Sequence, residues 1–332
     1  MFKWKKILIT GWTGFLWNAL TKRILKEDPH SIRIFSRDEV KHFHMESKFN
    51  DDRLRFLVWD IRDKDRLIKA TKWVDYIIHA AALKRLDILE YNPEESIKTN
   101  ILWTMNLVEA ANINNVKKVV FISTDKSCSP VNTYWACKFV SERIITESNY
   151  SNWDNSTTFL SVRYWNVINS TGSIVPILQE KIKKLEGFFL TDDRMTRFII
   201  TEDEAINLIF NAFKIWIWWE VIVPKLDSCK IIDLMNAIKK INNYDCKIEL
   251  SWLRPWEKIH ELMINEAEWA RVISYKNRYI IPSLIEKYKQ NIESPIYLKE
   301  WENKIMWDYS SEHSVISEEE LIKKYWEFLK IK

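Results

Sequence analysis

Two short stretches hold side chains that can do acid–base chemistry together. Ser123-Thr124-Asp125-Lys126 closes an apolar run, and Tyr134-Trp135-Ala136-Cys137-Lys138 follows it. An adjacent carboxyl and amine serve as acid and base in one reaction when their environments differ. Tyr134 and Lys138 are four apart and share one face of a helix. The ammonium is then placed to lower the phenol pKa, and the phenolate to take a proton from a hydroxyl group. Tyr-x-x-x-Lys is common by chance, but its place just after a fifth strand makes it specific. The bland alternative for Asp125 and Lys126 is a surface ion pair in a fold that only binds.

A second constellation lies at the start. Lys6 to Thr10 reads as a strand, and Gly11-Trp12-Thr13-Gly14-Phe15-Leu16-Trp17 reads as a tight loop entering a helix. A loop of this kind brings bare backbone and a helix N-terminus against a pyrophosphate. Trp12 would fill that space. The chain has 18 Trp and 4 Gly, whereas ~7% usage predicts roughly 23 Gly in 332 residues. The two counts look exchanged, as expected of a message that reads UGA as glycine, written out with a code that reads it as tryptophan. Trp216, Trp218 and Trp219 in Ile-Trp-Ile-Trp-Trp-Glu make sense only as a glycine-rich turn. Trp301 and Trp326 sit in amphipathic helical patterns and are expected to be tryptophan in their own right.

The second strand ends in Ser36-Arg37-Asp38, with Arg37 23 positions beyond Gly14. An acid at that strand end binds a ribose 2′-hydroxyl, and an arginine accommodates a 2′-phosphate. Arg37, with Ser36 and Lys41, argues for NADP, with solvated surface charge as the alternative. Asp60 and Ile61 are placed to meet the adenine. Ala80 and Ala81 let the backbone pass beneath the cofactor, and Lys84 follows. Lys138 would hold the nicotinamide ribose, and Val167 closes the cofactor set. His79 reads as a packed strand-end residue.

These residues need a frame. Strand-length apolar runs at Lys6 to Thr10, Ile32 to Ser36, Leu54 to Val58, Tyr76 to Ala80, Lys118 to Ser123 and Thr158 to Tyr164 alternate with helical segments near 15 to 26, 64 to 71, 93 to 114 and 133 to 146. Unbroken apolar strands separated by helices predict an α/β fold with a doubly wound parallel sheet, a Rossmann domain. Beyond Val167 the pattern loosens. Helices at Val175 to Leu185, Glu202 to Lys214, Ile231 to Ile241 and Glu318 to Lys330 are expected, with strands at Phe188 to Thr191, Val221 to Pro224 and Lys247 to Leu250. The expected division is a Rossmann domain over 1–167, with 198–226 returning to it, and a smaller α/β substrate domain from 168–197 and 227–332.

Composition narrows the partners. Net charge +4 and pI 8.6, with Lys and Arg interspersed among Asp and Glu, show no basic stripe for nucleic acid. No apolar stretch has the length of a membrane span, and no signal segment is evident, so a cytoplasmic location is expected. Cys128, Cys137, Cys229 and Cys246 lack metal-ligand spacing and read as reduced thiols, so no metal is expected.

Together these residues make the chain resemble the extended short-chain dehydrogenase/reductases, and among them the inverting UDP-N-acetylglucosamine 4,6-dehydratases of pseudaminic-acid and capsule pathways. Phe35-Ser36-Arg37-Asp38-Glu39, His79-Ala80-Ala81-Ala82-Leu83-Lys84, Glu90-Tyr91-Asn92-Pro93, Lys98-Thr99-Asn100 and Thr124-Asp125-Lys126 carry the likeness. Arg163-Tyr164-Trp165-Asn166-Val167, Met195-Thr196-Arg197-Phe198 and Leu253-Arg254-Pro255-Trp256-Glu257-Lys258 extend it. It covers residues 5 to about 262. The departures are almost all Trp where the family has Gly, at 12, 17, 59, 103, 135, 165, 252 and 256.

The resemblance implies that Tyr134 takes the proton of the sugar O4 while hydride leaves C4 for NADP⁺. Lys126, uncharged, removes the C5 proton, Asp125 protonates the departing O6, and hydride returns to C6. Thr124 would hydrogen-bond near O4. Arg197 and Arg254 are the expected diphosphate ligands, since guanidinium forks match its oxygens, and Lys84, Asn166 and Glu257 would meet the UDP-sugar. A homo-oligomer is also implied. The rivals are a 4-epimerase, a retaining 4,6-dehydratase and a catalytically silent NADP-binding module. Asp125-Lys126 favours the inverting branch, because epimerases usually carry small residues there and the retaining enzymes resemble Thr-Asp-Glu.

Overall fold

The computed structural model describes residues 1–11, 15–60, 62–80, 89–150, 157–165, 167–170, 172–214, 220–253, 257–285 and 308–331. Six strands, β1 (Lys6–Thr10), β2 (Ser31–Ser36), β3 (Leu54–Val58), β4 (Tyr76–His79), β5 (Lys118–Thr124) and β6 (Thr158–Tyr164), form a parallel array in the order β3-β2-β1-β4-β5-β6. This is the doubly wound frame expected from the alternation of apolar runs and helices.

Successive residues point to opposite faces of a strand, and that period divides the core in two. Ile7, Ile9, Ile78, Val120 and Ile122 pack on one face with the helices α1 (Phe15–Leu25) and Glu202–Lys214. Leu8, Ile77, Val119 and Phe121 pack on the other with α3 (Lys64–Thr71) and α4 (Trp103–Ile113). Both faces are therefore covered, which is why the middles of β1, β4 and β5 are unbroken apolar runs.

Helix α2 (Glu39–Phe49) was not evident in the sequence, because its polar residues hide the apolar stripe. Its punctuation is local. The Asp38 carboxylate accepts from the Lys41 backbone N–H, and Asn50 closes the helix in the left-handed region at φ 43°. The long helical segment before β5 begins with a turn at Pro93–Ser96 and passes through a π-helical turn at Ile97–Leu102. It continues into α4. Helix α5 (Thr133–Glu147) links β5 to β6 and is capped by Asn132.

The second core gathers α6 (Ile174–Lys183), α8 (Ile231–Ile241) and α10 (Glu318–Leu329) around Leu178, Phe188, Leu234, Ile238, Leu321 and Leu329. Short strand pairs edge it: β7 (Phe188–Leu190) with β11 (Ile248–Leu250), and β8 (Thr196–Phe198) with β10 (Ser228–Lys230). Helix α7 (Glu202–Lys214) and strand β9 (Glu220–Pro224) return to the first sheet, where β9 lies parallel to β6. A hairpin, β13 (Ile273–Tyr275) and β14 (Arg278–Pro282), pairs antiparallel on β9 and lengthens that sheet to nine strands. Between them in sequence, β12 (Leu262–Ile264) pairs with β15 (Tyr309–Ser310), and α9 (Glu266–Trp269) follows β12. No described helix is long and apolar enough to cross a membrane.

Candidate active site

Strand β5 delivers Thr124 to the carboxyl edge of the sheet and turns at once into a 3-10 turn, Asp125–Ser127. Asp125 is 1% exposed, and its Oδ1 accepts from Thr124 Oγ1 at 2.6 Å and from Lys126 Nζ at 3.2 Å. The expected acid, base and hydroxyl are thus one hydrogen-bonded cluster. The turn is held from behind by Glu142 of α5, whose carboxylate accepts from the hydroxyls of Ser123 and Ser127. Arg163 of β6 holds Glu142 in turn and also grips Glu268 of α9. Sequence reasoning missed this buried support. Acid and base in it come from three separate elements, with no common spacing to signal them.

Tyr134 and Lys138 lie one turn apart on α5 and are both buried. Their surroundings run against the expectation of a lowered phenol pKa. Burial, helped by the Asp125 charge, pushes the Tyr134 phenol up. Lys138 Nζ donates to the Ile122 carbonyl at 3.3 Å, and burial lowers its pKa to about 8.

A cleft of about 380 Å³ opens beside this cluster, lined among others by Trp165, Ser173, Met195, Arg197, Ser251 and Glu257. Arg197 uses its guanidinium internally. Nη1 donates to the carbonyls of Thr196 and Ile259, Nη2 to that of Lys258, and Nε lies 3.3 Å from Glu261 Oε1. Four of its five N–H groups are thus engaged, and the fifth, on Nη2, faces only the weak acceptor Met195 Sδ at 3.7 Å, which leaves it open to a phosphate. The Trp165 ring stands in the cleft, 4.1 Å from Lys126 Nζ and 5.9 Å from the Arg197 guanidinium carbon.

At the other end of the sheet edge, Gly11 takes φ 77°, which only glycine adopts freely, and α1 has no acidic residue in its first turn. Phe15 begins α1, and Leu16 after it is buried in the core. Ser36 is buried and bonded to His42 Nε2 at 2.9 Å. Lys41 pairs with Asp38 at 2.6 Å, while Arg37 stays half exposed, 3.9 Å from Asp60. Asp60 is bound mainly by Arg62, which holds its carboxyl below the usual range against a smaller effect of burial. Ala80 donates its backbone N–H to Thr10, and Val167 bridges to Ile200. His79 is buried between Thr10 and Thr104 and stacks edge-on against Trp103, as a packed residue does. Trp12, Thr13, Gly14, Ile61, Ala81, Lys84, Asn166 and Arg254 lie outside the described residues.

A model of polysaccharide biosynthesis proteins matches residues 7–283. The chain belongs to that family. It is 39% identical over 97% of its length, and 98% of the relative's, to a UDP-N-acetylglucosamine 4,6-dehydratase (inverting) of Campylobacter jejuni subsp. jejuni. It is 35% identical to a UDP-glucose 4-epimerase of Rickettsia bellii, over 95% of this chain and 93% of that one. Among solved structures it resembles Pen from Bacillus thuringiensis at 35% identity and TM-score 0.87, covering 98% of both chains. Membership of the family agrees with the resemblance carried by Thr124-Asp125-Lys126 and the other motifs, and the parallel α/β frame is the one expected.

Proposed function

We propose that this protein is an NADP-dependent UDP-N-acetylglucosamine 4,6-dehydratase that inverts C5 and releases water and a UDP-4-keto-6-deoxy-N-acetylhexosamine for surface glycan synthesis. The observation that carries this reading is Asp125 joined to Lys126 at 3.2 Å, in the turn just ahead of the helix that bears Tyr134 and Lys138. The high identity to the Campylobacter dehydratase supports it. Epimerisation at C4 needs a group for the O4 proton alone, whereas water loss across C5 and C6 also needs a base for C5 and an acid for O6. Asp125 and Lys126 are that second pair.

The described residues fit a dinucleotide. Gly11 in the left-handed region ends β1, and β1 and β4 are neighbours from which the chain winds in opposite directions, the crevice where such ligands lie. Asp38 is committed to capping α2, so it does not compete for a ribose, and the exposed Arg37 suits a 2′-phosphate. Bound NADP supplies a site that accepts hydride and gives it back. Tyr134, as the phenolate, receives the O4 proton, Lys126 receives the C5 proton, and Asp125 gives its proton to O6 as the C6–O6 bond breaks. When hydride enters C6, C5 is reprotonated on its opposite face, and the proton Tyr134 took from O4 closes the count. Thr124 fixes the Asp125 carboxyl. Arg197 and Glu257, from the cleft wall, take the UDP-sugar. A homo-oligomer fits the exposed stripe of Leu102, Met105 and Ile113 on one side of α4. Four free cysteines suit a reducing, cytoplasmic setting.

The test is incubation with UDP-N-acetylglucosamine and assay of the product. A 4-keto-6-deoxy sugar from the wild type, lost in Lys126→Ala while NADP still binds, is the expected result. A C4 epimer, or unchanged turnover in Lys126→Ala, overturns the reading.

A further inference from the structure

The catalytic role of Asp125 poses a problem of proton placement. Its Oδ1 already receives hydrogens from Thr124 and Lys126. A proton that Asp125 is to donate must therefore sit on its other oxygen. Glu261, just ahead of β12, is 4% exposed, and β12 packs on the Asp125–Ser127 turn, so the two buried carboxyl groups face one another. Glu261 Oε1 is met by Arg197, whereas the buried Oε2 has no donor. Two carboxyl groups in contact cannot both be ionised at low cost, and a buried acceptor without a donor is itself costly. A single proton between them satisfies both.

We propose that Asp125 and Glu261 form a buried dyad holding one proton at neutral pH, with Glu261 as the positioning residue that keeps Asp125 able to act as the acid. The proposal rests on the dehydratase reading for its catalytic meaning, but the dyad itself is a property of the protein alone. In the elimination the Asp125 O–H bond breaks, the O6–H bond forms, and C6–O6 cleaves to release water. The proton that Lys126 takes from C5 then returns to the dyad across the 3.2 Å contact with Asp125.

The charged groups around Glu261 act in opposition. Burial is the largest influence and raises its pKa, and the Asp125 charge adds to it, to about 8. Arg197 from β8 and Lys126 from the 3-10 turn oppose the rise. Lys258 also interacts with Glu261, while the neighbouring His260 turns to Thr196 and Glu312.

Infrared difference titration of the intact protein tests the dyad without reference to turnover. At pH 7 the wild type should show the carbonyl stretch of a protonated carboxylic acid that disappears with a midpoint near 8. Glu261→Gln, which keeps shape and hydrogen bonding, should lack it. Asp125→Asn should keep it and move the midpoint to lower pH, because the neighbouring charge is gone. An unchanged band in Glu261→Gln, or none in the wild type, overturns the proposal. With substrate, Glu261→Gln should still form reduced nicotinamide transiently while elimination slows by at least about tenfold. Elimination at the wild-type rate would also overturn it. A wild type that yields no product would count against the dehydratase reading and leave the infrared result standing.

Discussion

Arg163 and Glu268 meet through two hydrogen bonds, Nη1 to Oε2 at 2.9 Å and Nη2 to Oε1 at 3.0 Å, with side chains 0% and 3% exposed. The same guanidinium binds Glu142 and the Met263 carbonyl, so one residue of β6 ties the Asp125–Ser127 turn to the C-terminal segment. Arg163→Met leaves the buried Glu142 without its cation and Glu268 with Arg143 alone, 3.7 Å away, and should cost about 3–5 kcal/mol. Lys324→Ala breaks an equally short pair with Asp227, but one whose side chains are 47% and 34% exposed. It should cost under about 1 kcal/mol. Urea unfolding of the two variants checks the contrast.

The same pair sets an acid limit. Burial opposes the charge on Glu268, and Arg163 overrides it, so its carboxyl titrates below the usual value. A depressed carboxyl contributes its full stability above the unfolded value of about 4.3 and loses it as pH falls through the lower, folded value. Unfolding free energy should fall with acid over that window, and Arg163→Met should flatten the slope.

Lys138 titrates near 8, chiefly through burial, aided by Lys126 and opposed by Glu142. Its charged form declines above that pH, so transient nicotinamide reduction, which precedes the step the Asp125–Glu261 dyad serves, should show a descending alkaline limb near 8. Lys138→Arg stays charged and should lose the limb while running more slowly.

Arg37 is the exposed cation at the end of β2. Arg37→Ala should weaken NADP binding by about tenfold, the value of one lost charge-assisted contact of about 1.4 kcal/mol, and leave NAD binding unchanged. Fluorescence titration with both dinucleotides measures the ratio.

Trp4 and Trp73 occupy the left-handed region at φ 60° and 61°, where a bulky side chain is strained and glycine is not. Trp103 and Trp135 are buried with indole N–H groups that have no acceptor. Glycine at such positions removes both penalties, and at 165 it clears the cleft between Lys126 and Arg197. Protein from the native host should weigh less than the written chain by a multiple of about 129 Da, the covalent difference per Trp. A mass matching the written chain would sink the idea.

What could be read from the chain alone was whatever depends on neighbours in sequence. Strand β3 and helices α3, α7 and α8 begin and end at the expected residues, because period and caps are local. Helix α2 was not legible, because only His42 and Met45 of it are buried and too few apolar residues mark its period. Tyr134 and Lys138 were legible for the same reason as the helices, since one turn of α5 joins them. The β13–β14 hairpin and the Arg163 network were not, because their partners lie many residues away.

The sequence by itself determined the parallel frame and the residue types at the carboxyl edge of β5, since apolar period and helical spacing are properties of short segments. Only the tertiary structure decided that Glu261 lies against Asp125 and that Arg197 donates to backbone carbonyls. Burial and charge at those atoms are set by elements that meet only when the chain has folded.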